Sequence, residues 1–187
     1  MDDLEGLERW AADARAREAA DARVRERWLR AQAEEEASLA GVLLALAERG
    51  ETVVLTTAAG RRHRGVVTGV GVDFAALRGP GGATTLVVLD RLGDARVVEE
   101  RARGRAAAAA AASGDAPGGA LGVRLADVLA QAAGQRPRVA VQAGAASVVG
   151  DLRSVGTDVV TIRTDGEAGV VYVALASVSE VSFLASG

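Results

Sequence analysis

Between Asp2 and about Glu48 the apolar positions recur with helical spacing, in a stretch without proline whose only glycines are Gly6 and Gly41. Ala, Glu, Arg and Leu fill it, and these strong helix formers predict helix almost throughout. Leu4, Leu7, Ala11 and Ala14 begin a heptad-like seam, Glu18 and Asp21 interrupt it, and Val24, Trp28 and Ala31 resume it. A long uniform coiled coil is therefore not expected. Glu5 with Arg9, Asp13 with Arg17, Asp21 with Arg25 and Glu26 with Arg30 form i,i+4 pairs on a solvated face. Ser38 is placed to cap a last amphipathic segment with Leu39, Val42, Leu43 and Leu46 on one side.

The period changes at Glu51. Val53, Leu55 and Thr57 alternate, Gly60 turns the chain, and Gly65 to Val70 continues as a β-branched strand before Asp73 to Leu77. Gly79-Pro80-Gly81-Gly82 marks the next turn, and Thr84 to Leu89 and Arg96 to Val98 complete about five strands. An Arg- and Ala-rich stretch ending in Ser-Gly-Asp-Ala-Pro-Gly-Gly follows and reads as a linker. The last part repeats the middle one. Leu39, Val42, Leu43, Val53 and Leu55 return 86 positions later as Leu125, Val128, Leu129, Val139 and Val141. After the first loop the displacement is 85, so that Gly65, Val70, Gly71, Asp73, Leu77 and Arg78 return as Gly150, Val155, Gly156, Asp158, Ile162 and Arg163. Such agreement indicates duplication. The predicted organisation is a helical extension over 1–37, a helix-led strand unit over 38–98, a flexible linker over 99–120 and a second helix-led unit over 121–187.

Composition removes most chemistry. The chain has no cysteine, lysine or asparagine and a single histidine, His63. Disulfides, thiolate nucleophiles, cysteine-ligated metal centres and Schiff-base lysines are excluded by residue type. We therefore expect no enzyme activity, no cofactor and no metal. Aromatic residues are only 3% of the 187, so any core is built from Val, Leu and Ala, which suits short strands and small barrels. Phe74, Tyr172 and Phe183 fall in strand patterns and are expected to pack in it. The acidic start Met1-Asp2-Asp3-Leu4-Glu5 is unlike a secretory signal, and the longest apolar runs, 106–112 and 170–176, are too short to span a bilayer. A cytoplasmic protein without membrane contact is the expectation.

A short helix followed by an apolar strand (Val53 to Thr57), a glycine turn at Gly60, Gly65-x-Val67, Val70-Gly71-x-Asp73 and Leu77 resembles the Sm-like fold. SH3-type small β-barrels share a similar strand order. The second copy matches through Val139, Val141, Gly150, Leu152, Val155, Gly156, Asp158 and Ile162. The whole layout, an Arg/Glu/Ala helix before a Val-Gly-x-Asp-Phe unit, also looks like uncharacterised proteins of GC-rich bacteria. The resemblance implies a mainly β protein with a helical N-terminal extension and two tandem five-stranded Sm-like barrels, each closing its own edges. Sm-like proteins that bind uridine-rich RNA use an asparagine in the third-strand motif and an Arg-Gly or Lys-His element near the last turn. Here Leu77 and Ile162 stand near the first position, and Leu92-Gly93 and Val178-Ser179 near the second. The implied fold thus comes without the implied RNA reading.

Arg61-Arg62-His63-Arg64 is the densest basic cluster, on the first unit's loop, with Arg78 at a later strand end. Arginine forks pair two phosphate oxygens at once, so RNA or DNA contact through these five residues is one reading. A solvated loop with a solvent-facing His63 is the plainer one. The region 51–105 carries 9 arginines against 6 acids, a polarity that favours polyanions. Gly69-Val70-Gly71 is no dinucleotide fingerprint, because Phe74 stands where a third glycine is required. Asp73 and Asp158 are expected to accept backbone hydrogen bonds within their own turns. A helix of roughly 45 residues reaches about 68 Å, beyond one small barrel. Trp10 and Trp28 on it therefore mark a surface for a protein partner or for self-association. The principal reading is a non-catalytic binding or scaffolding module, and nucleic-acid binding is the alternative.

Overall fold

The computed structural model describes residues 18, 23–28, 32, 37–98, 119–165 and 169–184. The chain divides into units 1–38 and 39–187. In the first, 23–28 are helical, as the composition predicts. Trp28 and Val24, one helical turn apart, are both exposed. Trp10 lies outside the described residues, as do 99–118 of the expected linker.

In the second unit the period-2 stretches become strands. Helix α1 (Leu39–Glu48) leads β1 (Thr52–Thr57), β2 (Arg62–Val70), β3 (Phe74–Arg78), β4 (Thr84–Val88) and β5 (Leu92–Val97). Then β6 (Gly119–Ala120) and α2 (Leu125–Ala133) lead β7 (Arg138–Ala143), β8 (Ala146–Val155), β9 (Val159–Arg163), β10 (Val170–Ala174) and β11 (Val178–Phe183). The last strand of the first half starts at Leu92, earlier than the expected Arg96. A 3-10 turn, Leu89–Arg91 or Leu175–Ser177, carries the chain directly from the fourth strand into the fifth. The linker's end is not loop, since Gly119 and Ala120 pair in parallel with Gly69 and Val70.

The duplication is visible in the register. Val53 faces Gly65 as Val139 faces Gly150, and Val67 faces Leu77 as Leu152 faces Ile162, each before a bulge. Gly65 and Gly150 are there for space: a Cβ on either would occupy the position of the carbonyl group of Arg78 or Arg163. The change of displacement from 86 to 85 comes from the first hairpin, where three residues separate Thr57 from Arg61 and two separate Ala143 from Ala146.

The protein is mainly β, but its halves do not close on themselves. The strands run β10-β9-β8-β7-β11-β4-β3-β2-β1-β5 in one open, antiparallel path, with β6 beside β2. The fourth strand of the first half finds its partner in the fifth strand of the second. Leu86 pairs with Val181, Val87 with Glu180 and Thr85 with Ser182. An edge that each barrel was expected to close internally is satisfied across the halves instead.

The cores follow from this. Leu43, Val53, Leu55, Val67, Leu77 and Val87 form one cluster in the first half. Phe74, Ala76 and Leu86, on the opposite face of β3 and β4, are buried in the other cluster with Leu125, Leu129, Val139, Val141 and Val181. Phe74, the single Phe, Trp or Tyr residue of 39–98, therefore fills the second half's core. Phe183 packs at the margin of that core, whereas Tyr172, expected inside, is 72% exposed.

Candidate functional site

The β1–β2 hairpin is built from residues 57 to 61. Thr57 N–H donates to the Arg61 carbonyl at 2.9 Å, and Gly60 takes φ +80° to make the turn. Alternation from Arg61 onward then divides the basic cluster between two faces. His63 stands opposite Leu55 on the core side of the strand, while Arg62 and Arg64 project from the other face and are exposed. Arg78, paired with Val66, falls on that same outer face, one step beyond Arg64. The five basic residues singled out from sequence therefore do not form one patch.

Arg61, whose side chain is half-exposed, and the inward His63 both meet Glu180 of β11. Arg61 Nε donates to Glu180 Oε1 at 2.7 Å, and His63 Nε2 lies 2.5 Å from Glu180 Oε2. Glu180 is 2% exposed and His63, far from facing solvent, has a side chain 14% exposed. The reason is the seam, since pairing of β4 with β11 lays the second half over the start of β2. Burial by itself pushes the Glu180 carboxyl up. The hydrogen bonds and charges of His63, and then of Arg61, outweigh it and hold the group below its ordinary range.

Further polar ties cross the seam. Thr85 Oγ1 and Ser182 Oγ are 2.9 Å apart, and Arg91 Nη2 donates to the Ala176 carbonyl at 2.8 Å. Asp73 departs from its expected role. Its side-chain Oδ1 accepts the backbone N–H of Leu125 at 2.8 Å, so it caps the helix that opens the second half instead of its own turn. Its main-chain carbonyl accepts from Leu89, as that of Asp158 does from Leu175.

Sequence reasoning missed Glu180. The available signal was an acid in the middle of Val178-Ser179-Glu180-Val181-Ser182-Phe183, a strand otherwise free of charge. Among the described residues no group of three or more His, Cys, Asp or Glu side chains is placed to hold a metal ion. No described helix is long and apolar enough to cross a membrane. No protein-family model matches the chain, and no curated protein matches it significantly.

Proposed function

We propose that the chain is a non-catalytic scaffolding module built from two Sm-like units, each a helix followed by five strands. The observation that carries this reading is the use made of the basic loop. Arg61 and His63, the residues best suited to a ligand site, are engaged by an internal carboxylate, and the work of that contact is to hold two halves together. Its role is architectural. The exposed Val24 and Trp28 on the N-terminal helix supply one surface for a protein partner or for self-association.

Nucleic-acid binding is retained as a second reading, narrowed to Arg62, Arg64 and Arg78, because these share one sheet face, on which Arg62 and Arg64 are exposed and Arg78 is half-buried. Gel shifts with single-stranded RNA and duplex DNA at low ionic strength test it. The scaffolding reading expects no complex. A complex that weakens steeply with salt, and is lost in Arg62→Ala/Arg64→Ala, would establish the second reading instead.

A further inference from the structure

The turn after the second strand is the same in both halves. Gly71 N–H donates to the Phe74 carbonyl at 2.8 Å, as Gly156 N–H does to that of Val159, and the Asp73 and Asp158 carbonyls each accept from the residue that follows the fourth strand. In both halves, too, the first strand ends before the second does. β1 reaches Val66 of β2, and β7 reaches Asp151 of β8. The last residues of β2 and β8 therefore each have one edge that the first strand does not cover.

In the first half that edge is filled from within the chain. Gly119 and Ala120 add to it in parallel, opposite Gly69 and Val70. Leu121 N–H donates to the Val70 carbonyl at 2.7 Å, and Val72 N–H donates to the Val123 carbonyl at 2.9 Å. The segment requires a glycine beneath it, because a Cβ on Gly69 would lie 2.8 Å from Leu121 Cδ1.

In the second half the same edge is bare. Gly69, Val70 and Gly71 are buried, whereas of their counterparts Ser154 and Gly156 are exposed and Val155 is half-buried. Among the described residues β8 pairs with β7 and β9 alone, and no hydrogen bond to the N–H of Thr157, the counterpart of Val72, is found. Unpaired strand edges of this kind are sites of strand addition.

We propose that Ser154–Thr157 is a docking edge for an extended segment of a partner protein, added parallel to β8, with a small side chain where the internal segment has Leu121. One partner N–H donates to the Val155 carbonyl, and the partner carbonyl two residues on accepts from Thr157 N–H, as Leu121 and Val123 do with Val70 and Val72. The side-chain requirement comes from Ser154. It places a Cβ and a hydroxyl where Gly69 leaves room for leucine, so Gly, Ala or Ser fits and leucine does not. A partner serine also gains a hydroxyl to bond with. A second copy does not meet this requirement through its own Gly119–Val123, which carries Leu121 and is already paired with β2.

This inference rests on the scaffolding reading and names a partner for it. Two synthetic peptides test it, the sequence Gly119–Leu125 as it stands and the same sequence with Leu121→Ala, each titrated into the full chain and followed by backbone amide shifts. The Leu121→Ala peptide is expected to shift the amides of 153–158, and the unaltered peptide to bind there about tenfold more weakly or less, the effect of a clash worth about 1.4 kcal/mol. Ser154→Gly should then admit the unaltered peptide about as tightly as the other, a gain that loss of folding cannot produce. Four results would each overturn the proposal: no shift at 153–158 with either peptide, equal binding of the two to the wild type, a Ser154→Gly variant that still rejects leucine, or shifts confined to 69–73. Shifts at 153–158 that appear on concentrating the chain without peptide would assign the edge to a second copy and overturn it as well. None of these outcomes involves nucleic acid, so failure here is distinct from a positive gel shift, which would defeat the scaffolding reading itself.

Discussion

A buried carboxylate is costly to take from water unless its oxygens are engaged, and Glu180 meets that condition through one residue on each oxygen. Removing both partners in Arg61→Ala/His63→Ala leaves the charge without compensation. The expected loss is about 3 kcal/mol in denaturant unfolding. Adding Glu180→Leu to that double variant should recover most of it, because an apolar side chain of similar size tolerates the site. If the triple variant is no more stable than the double, the contact is not the source of the loss. The pH dependence has a definite sign. The Glu180 carboxyl lies lower in the folded protein than its ordinary 4.5, so its contribution is present above that value and is lost as pH falls through the folded one. Acid titration of the unfolding midpoint should therefore show an acid-side loss of stability that Glu180→Gln reduces.

Helix α2 begins with its first backbone N–H groups directed at two carboxylates. Asp127 Oδ2 accepts from Arg124 N–H at 3.2 Å, a local contact of the capping-box kind, and Asp73 accepts from Leu125 across 52 residues of sequence. Asp73→Ala should cost about 1 kcal/mol, the usual effect of losing a helix cap. Asp158→Ala should leave the unfolding midpoint unchanged, since among the described residues no hydrogen bond to the Asp158 side chain is found. Equal effects of the two substitutions would mean that Asp73 acts only through its own turn. The strands were largely legible beforehand because their alternation and glycine positions are local. The start of β5 was not, because Leu92-Gly93 gains strand geometry from pairing with β1 and not from its own propensity.

Across the whole molecule the halves share a core, and Phe74 is the residue that shows it. Phe74→Ala should cost about 3–5 kcal/mol, and amide exchange should accelerate in α2 and β7 as well as in β3. Acceleration confined to 52–97 would indicate two independently stable halves. The sequence by itself determined the N-terminal helical composition, the strand periods and the duplication, because helix propensity, alternation and a repeated pattern act over a few residues or recur unchanged. It also set the residue types, and with them the chemistry removed from the protein. Only the tertiary structure decided that β4 pairs with β11, that Phe74 crosses into the neighbouring core, that Tyr172 faces solvent, and that Arg61 and His63 engage Glu180. Each of these depends on which of two equivalent edges a strand meets. Equivalent halves present the same local pattern to both, so the choice is made by long-range pairing, burial and charge compensation.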